Sequence, residues 1–221
     1  MIRAAIFDMD GTLLDSMPMW DDAGAVYLAG LGIQAEPDLG KILFPMTLEE
    51  SAVYLKKRYR LTLPEAEICA GIEQTISGFY LNSIPAKPGA AGFLEKLRDC
   101  GLALGVATVT SHQCTEAALR RTGLLQYFQT VTTDEDVGCG KDRPDIFLAA
   151  AKALGADPEE TLVFEDALHA LQTAKDAGFK TVGVYDASSL DKQQQILEVS
   201  DYYLKNFTDK ARLPENLLYS D

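Results

Sequence analysis

Disulfide and structural-zinc chemistry fall away first. The 221-residue sequence has only four cysteines, Cys69, Cys100, Cys114 and Cys139, and no two of them form a C-x-x-C pair. Free thiols in a reducing cytosol are therefore expected. Cys139, between Gly138 and Gly140, reads as a small loop residue rather than a reactive thiol. Basic residues are also scarce: 20 Lys+Arg against 33 Asp+Glu leave a net charge of -13. Such a chain repels phosphate backbones and anionic lipid, so neither a nucleic acid nor a membrane is expected as a partner. No apolar run is long enough to span a bilayer. The opening stretch Met1 to Phe7 is too short for a signal peptide and runs into carboxylates. The expectation is a cytoplasmic protein, and a monomer. There is no internal repeat and no low-complexity tract. What remains is ordinary for a soluble domain: 47% hydrophobic and 24% charged residues. That suffices for one large domain, or a domain carrying a smaller insertion, without staples.

The pattern changes along the chain. Ile2 to Phe7 is a short apolar run suited to a buried strand. From Ser16 the texture is helical. Trp20, Ala23 and Tyr27 share one face, and Gly30 and Gly32 end that helix. Thr47 with Glu50 reads as a capping box opening a second helix with Val53, Tyr54 and the Lys57 stem on its inner side. Pro64 opens a third, with Ile68, Ile72 and Ile76 as its stripe. No strand is expected between 16 and 82. The break Ser83-Ile84-Pro85-Ala86-Lys87-Pro88-Gly89 follows. Beyond it, helix 89–99, strand 102–107, helix 112–121, strand 129–132, a helix from Pro144, strand 161–165, helix 167–177, strand 180–184 and a strand at 202–204 alternate. Repeated strand–helix units predict an α/β fold, a Rossmann-like parallel sheet with helices on both faces. Residues 1–15 and 83–221 form this core, and 16–82 is an all-helical insertion after the first strand.

Four places where strands run into loops carry chemical potential. Asp8-Met9-Asp10-Gly11 leaves the first strand with two carboxylates two residues apart, both able to face one volume, before a glycine that lets the chain turn. One reading is a metal-assisted nucleophile and acid pair; the other is an acidic turn capping the next segment through Thr12 or Asp15. Ala107-Thr108-Val109-Thr110-Ser111 offers a hydroxyl and successive backbone amides, an anion cradle in which Thr108 would face the ligand. Its bland alternative is an N-cap by Thr110 or Ser111. Lys141, after Gly138-Cys139-Gly140, is either a phosphate-balancing ammonium or a solvated surface lysine. Glu165-Asp166 ends an apolar strand as a second acid pair, with Asp166 as an ordinary helix cap the competing reading.

In this order and spacing the four resemble the motifs of the haloacid dehalogenase superfamily, beginning with Asp-x-Asp-Gly-Thr at Asp8 to Thr12. The resemblance spans the whole chain. The helical segment sits where one subfamily carries a small cap domain, and Gly140 to Phe147 with Phe164 to Asp166 is similar to its phosphatase and β-phosphoglucomutase branch. Departures are Asp142 where proline is common, and Ala167 and Ala170 where serine and glycine are usual. The resemblance implies a phosphatase acting on a small phosphorylated metabolite. Asp8 would attack phosphorus to form an aspartyl-phosphate and Asp10 would serve as acid and base. Thr108, Val109 and Lys141 would hold the phosphoryl group. Mg²⁺ would bind Asp8, the Asp10 carbonyl and Asp166, with Glu165 a further ligand candidate. Mutases of this branch carry a histidine shortly after the first motif. Ser16-Met17-Pro18-Met19-Trp20 has none, and the loop Phe44-Pro45-Met46-Thr47 lacks the glycine and arginine that grip a second phosphate there. Hydrolysis is expected over phosphomutase activity, and a catalytically idle metal-binding regulator is disfavoured by the intact Asp10. Trp20, Phe44 and Met46 stand either as an apolar lid or as packing for the insertion's own core.

Overall fold

Ala4, Ala5, Ile6 and Phe7 are wholly excluded from solvent, the signature of a strand covered on both faces. They form β1 (Ala4–Phe7) at the centre of the computed structural model, which describes residues 1–43 and 45–208. Four helices follow: α1 (Met17–Gly30), α2 (Leu39–Leu43), α3 (Leu48–Tyr59) and α4 (Glu65–Asn82). Then come α5 (Ala90–Asp99), β2 (Ala103–Thr108), α6 (His112–Arg121), β3 (Thr130–Thr133), α7 (Asp134–Val137), α8 (Asp145–Ala153), β4 (Thr161–Glu165), α9 (Leu168–Asp176), β5 (Lys180–Val184), α10 (Gln193–Val199) and β6 (Tyr202–Leu204). The strands pair in the order β3-β2-β1-β4-β5-β6, every pairing parallel. The α/β class expected from the sequence is the one observed. After β3 the chain returns to lay β4 on the other side of β1, so the carboxyl ends of β1 and β4 flank a topological switch point. Open α/β sheets keep their ligand crevices at such points.

Two packed layers fix the register. On one face the Phe7 and Phe164 rings stack 4.2 Å apart, and Phe93 of α5 meets both edge-on. On the other, Ile6, Ala107 and Val163 pack against Ile146, Phe147 and Ala150 of α8 and Ala170 and Ala174 of α9. Because side chains alternate across a strand, Asp8 and Glu165, one residue beyond the stacked phenylalanines, emerge on the α8–α9 face. The ladder continues past the strand: the Asp8 N–H donates to the Phe164 carbonyl at 2.9 Å.

The described chain divides into two compact units, one of Met1–Asp15 with Pro85–Asp221 and one of Ser16–Ile84. The second is all helix among its described residues. Its core gathers Tyr27 and Leu28 of α1, Leu39 of α2, Ala52 and Leu55 of α3, and Ile68 and Ile72 of α4. The Thr47–Glu50 capping box forms as expected. The buried face of α3 differs from expectation: Val53 is exposed and Ala52 and Leu55 point inward, because tertiary contacts rotate the helix one position from the face the sequence suggested. Trp20 lies outside this core, 42% exposed, its indole N–H donating to the Tyr80 hydroxyl at 3.1 Å. Met46 is half-buried, and Phe44 lies outside the described residues. Three helices were not anticipated, α2, α7 and α10. The first two are five and four residues long, and α10 buries only Ile196, so none carries a readable apolar period.

In the first unit, the segments that flank the insertion are joined to each other. The Asp15 N–H donates to the Pro85 carbonyl at 3.0 Å and the Lys87 N–H to the Leu13 carbonyl at 2.8 Å. Lys87 Nζ then bridges the Tyr185 carbonyl at 2.8 Å and Asp186 at 2.9 Å. Burial pushes the Asp186 carboxyl up, but hydrogen bonds from Ser188 and Lys87 outweigh it and hold it below the usual range. Removing one member of a buried pair costs about 3–5 kcal/mol, so Lys87→Met should lower the urea midpoint of the α/β unit strongly at neutral pH. A depressed carboxyl contributes stability that is present above its unfolded value and lost as pH falls through its folded one. The gap between wild type and Lys87→Met in urea titrations should therefore narrow below about pH 3.9, the unfolded reference for aspartate.

Candidate active site

β1 and β4 each deliver carboxylates to the same point. The oxygens offered by Asp8, Glu165 and Asp166 lie within 4.8 Å of one another, and the three side chains are nearly closed to water, at 5%, 2% and 5% exposure. Lys141 reaches between them from the loop before α8. Its Nζ donates to Asp8 Oδ1 and, at 2.7 Å, to Glu165 Oε2, and it stands 5.8 Å from the Phe147 ring. The surface-lysine reading is excluded, since Lys141 is 6% exposed. Neither does Asp166 cap α9: its Oδ1 accepts from the Thr12 hydroxyl at 3.0 Å. The turn into α9 is closed instead by Glu165 Oε1, which accepts from the backbone amides of Asp166 and Ala167 at 3.2 and 3.1 Å.

The electrostatics follow from crowding three acids around one ammonium. Burial, then Glu165, lifts Asp8 to about 7 against the pull of Lys141. Burial, then Glu165 and Asp8, raises Asp166 well above the carboxylate range, with Thr12 opposing. For Lys141, burial favours loss of the proton, yet Asp8 and Glu165 prevail and its pKa rises above normal. Three carboxyl groups share one ammonium, and their crowding opposes ionising them together. Like-charged oxygens clustered out of water suit a hard divalent cation, which takes oxygen ligands and would relieve the repulsion. The donor set therefore fits such an ion, with Asp8 and Asp166 the freer ligands and Glu165 already engaged at both oxygens.

Asp10 departs from the other acids. It is half-buried and its Oδ2 accepts from the Thr110 hydroxyl at 2.7 Å. Thr108 is buried, and its Oγ1 accepts the Thr110 N–H at 3.2 Å. The Val109 side chain is exposed. The cap of α6 is Ser111, which accepts from the Cys114 N–H. The first-strand and β2 loops thus meet through Asp10 and Thr110, while the β1, β4 and α8 loops meet through Asp8, Glu165 and Lys141.

A family model for haloacid dehalogenase-like hydrolases matches residues 2–178, a span that contains every residue of this cluster. The chain belongs to that family. Among curated relatives of this haloacid dehalogenase-like hydrolase is the phosphorylated carbohydrates phosphatase of Thermotoga maritima, 27% identical over 198 residues, or 89% of this chain and 91% of that one. Hexitol phosphatase B of Escherichia coli is 27% identical over 188 residues, 83% of each chain. Among solved structures, a Thermotoga maritima protein provisionally named a β-phosphoglucomutase superposes with a TM-score of 0.84 at 25% identity. That match covers 93% of this chain and 95% of that one.

From the sequence, Thr12 and Thr110 figured only as candidate caps in the alternative readings, and the structure gives both another task. Each hydroxyl serves a carboxylate that lies distant in sequence, Asp166 for Thr12 and Asp10 for Thr110, and no local pattern reports such a partner. Gly11 is required twice over in this hydrolase. Its φ is +76°, and a Cβ there would sit 2.5 Å from Asp166 Oδ2. Gly123 has φ +74° with nothing within 4 Å of a Cβ, so it isolates the backbone effect. Gly123→Ala should cost about 1 kcal/mol and Gly11→Ala about 1–3 kcal/mol more, by the strain and packing it adds. Denaturant unfolding of the two variants beside wild type measures the difference.

Proposed function

We propose that the protein is a Mg²⁺-dependent phosphatase that hydrolyses a small phosphorylated metabolite, of the sugar- or polyol-phosphate class, through an aspartyl-phosphate on Asp8. The observation that carries the reading is the meeting of Asp8, Lys141, Glu165 and Asp166 in one buried pocket at the switch point of the sheet. Family membership and the phosphorylated carbohydrates phosphatase and hexitol phosphatase among its relatives support the substrate class.

In the first half-reaction an Asp8 carboxylate oxygen forms a bond to phosphorus as the ester P–O bond breaks. The electron pair leaves on the ester oxygen, which takes a proton from Asp10. In the second, water attacks phosphorus, the bond to Asp8 breaks, Asp10 takes a proton from the water, and inorganic phosphate departs. Asp8, Asp166 and the Asp10 carbonyl would hold the divalent ion, with Glu165 a further candidate. That ion would lessen anion–anion repulsion and offset charge on the phosphoryl oxygens. Lys141 orients Asp8 and draws it toward the carboxylate form, its ammonium opposing the effect of burial. Thr108 and the amides of the Val109 loop would cradle the phosphoryl oxygens. Glu165 holds Lys141 in place while closing the turn into α9.

Phosphomutase activity of the β-phosphoglucomutase type is the second reading, favoured by the 0.84 TM-score to a protein of that provisional name. The segment Ser16 to Trp20 has no histidine to move a proton to a second hydroxyl, which favours hydrolysis.

Phosphate release from a panel of hexose, hexitol and pentose phosphates, with Mg²⁺ or with chelator, tests the proposal. Release should require the ion, Asp8→Asn should reduce it to background, and Asp10→Asn should lower kcat by about 10²–10⁴-fold. Full turnover by Asp8→Asn would sink it, and interconversion of hexose 1- and 6-phosphates without phosphate release would favour the mutase.

A further inference from the structure

Thr110 follows the cradle residues Thr108 and Val109, and its hydroxyl points back across the sheet mouth to Asp10. The Oγ1–Oδ2 separation of 2.7 Å is that of a hydrogen bond between a hydroxyl and a charged acceptor. Thr110 is itself held from two sides. Its N–H donates to Thr108 Oγ1 at 3.2 Å, and its carbonyl accepts from the Thr115 hydroxyl at 3.1 Å. Thr108 and Thr115 are buried, so a fixed backbone presents the Thr110 hydroxyl. Its β-branched side chain has little freedom at χ1. A carboxylate on an exposed turn rotates about two bonds; one with Oδ2 tied to a fixed donor keeps Oδ1 facing a defined direction.

We propose that Thr110 is the positioning residue of the acid–base group: it pins Asp10 Oδ2 so that Oδ1 alone carries the proton exchanged with the leaving oxygen and then with water. This rests on the reading of Asp10 as proton donor. A hydroxyl suits both halves of the cycle because it donates to Oδ2 both in the carboxylate and in the carboxylic acid that holds its proton on Oδ1. The proton count at Asp10 is unchanged over a turnover, one given to the ester oxygen and one taken from water, and Thr110 keeps its own.

The test uses Thr110→Val and Thr110→Ser in the full-length chain, assayed with Mg²⁺ on two kinds of monoester. An alkyl phosphate expels a strongly basic alkoxide that needs the proton, whereas p-nitrophenyl phosphate expels a weakly basic phenolate that does not. Loss of a hydrogen bond to a charged group predicts a fall in kcat of about 10–100-fold on the alkyl ester for Thr110→Val. First-turnover release of p-nitrophenolate, the half-reaction that draws no proton from Asp10, should stay within about threefold, and Thr110→Ser should restore the alkyl activity because only the hydroxyl is at issue. An equal loss in the first-turnover rate of both esters would assign Thr110 to phosphoryl binding or to folding and overturn the proposal, as would no loss on either or a Ser variant as impaired as Val. The parent reading fails separately, by Asp8→Asn retaining turnover of both esters.

Discussion

Negative charge gathered where water cannot reach it is the constraint on which the rest of the molecule turns. Asp8, Glu165 and Asp166 are each nearly closed to solvent with their oxygens within 4.8 Å of one another. Left alone, such groups would take up protons or force the pocket open. Lys141 answers part of that demand by reaching two of the three, and Thr12 and two backbone amides answer more. The oxygens that remain are a donor set that fits a divalent cation.

The sheet is what holds those side chains in place. The stacked Phe7 and Phe164 rings and the edge-on Phe93 fix β1 beside β4 in one register, and the Asp8 amide extends the ladder one residue further. A slip of one residue would turn Asp8 onto the aromatic face. The opposite face is built of small residues, Ala107, Ala150, Ala170 and Ala174, around Ile6, Val163 and Phe147. Small side chains there let α8 and α9 approach closely, and the approach of α8 is what brings its preceding loop, and Lys141, over the strand ends. Packing on both faces thus serves one purpose at the mouth.

Much of this could be read from the chain alone, and the parts that could not share a cause. Strands β1, β2 and β4 were legible because short apolar runs end abruptly in acids or hydroxyls. The longer core-unit helices α5, α6, α8 and α9 were legible from their stripes. The Thr47–Glu50 cap was legible because both partners sit within one turn. Val53 was misassigned because Val53 and Ala52 are neighbours on a helix whose rotation is set by Leu28, Ile68 and Ile72 across the unit. Short helices such as α7 and α10 bury too little to imprint a period. Asp166 as a helix cap was a fair local reading, since aspartate fills that role often. Its actual partner is Thr12, 154 residues away.

The sequence by itself determined the parallel α/β class and the order in which acid pair, hydroxyl, lysine and acid pair appear, because strand length, apolar period and turn chemistry act over a few residues. Tertiary structure alone decided what those side chains do to one another. That Lys141 joins Asp8 to Glu165, that Glu165 closes the α9 turn, and that Thr110 grips Asp10 are all pairings between separate strand ends. They follow from strand order and register, which arise when the two faces of the sheet are packed together and not from any local stretch of chain.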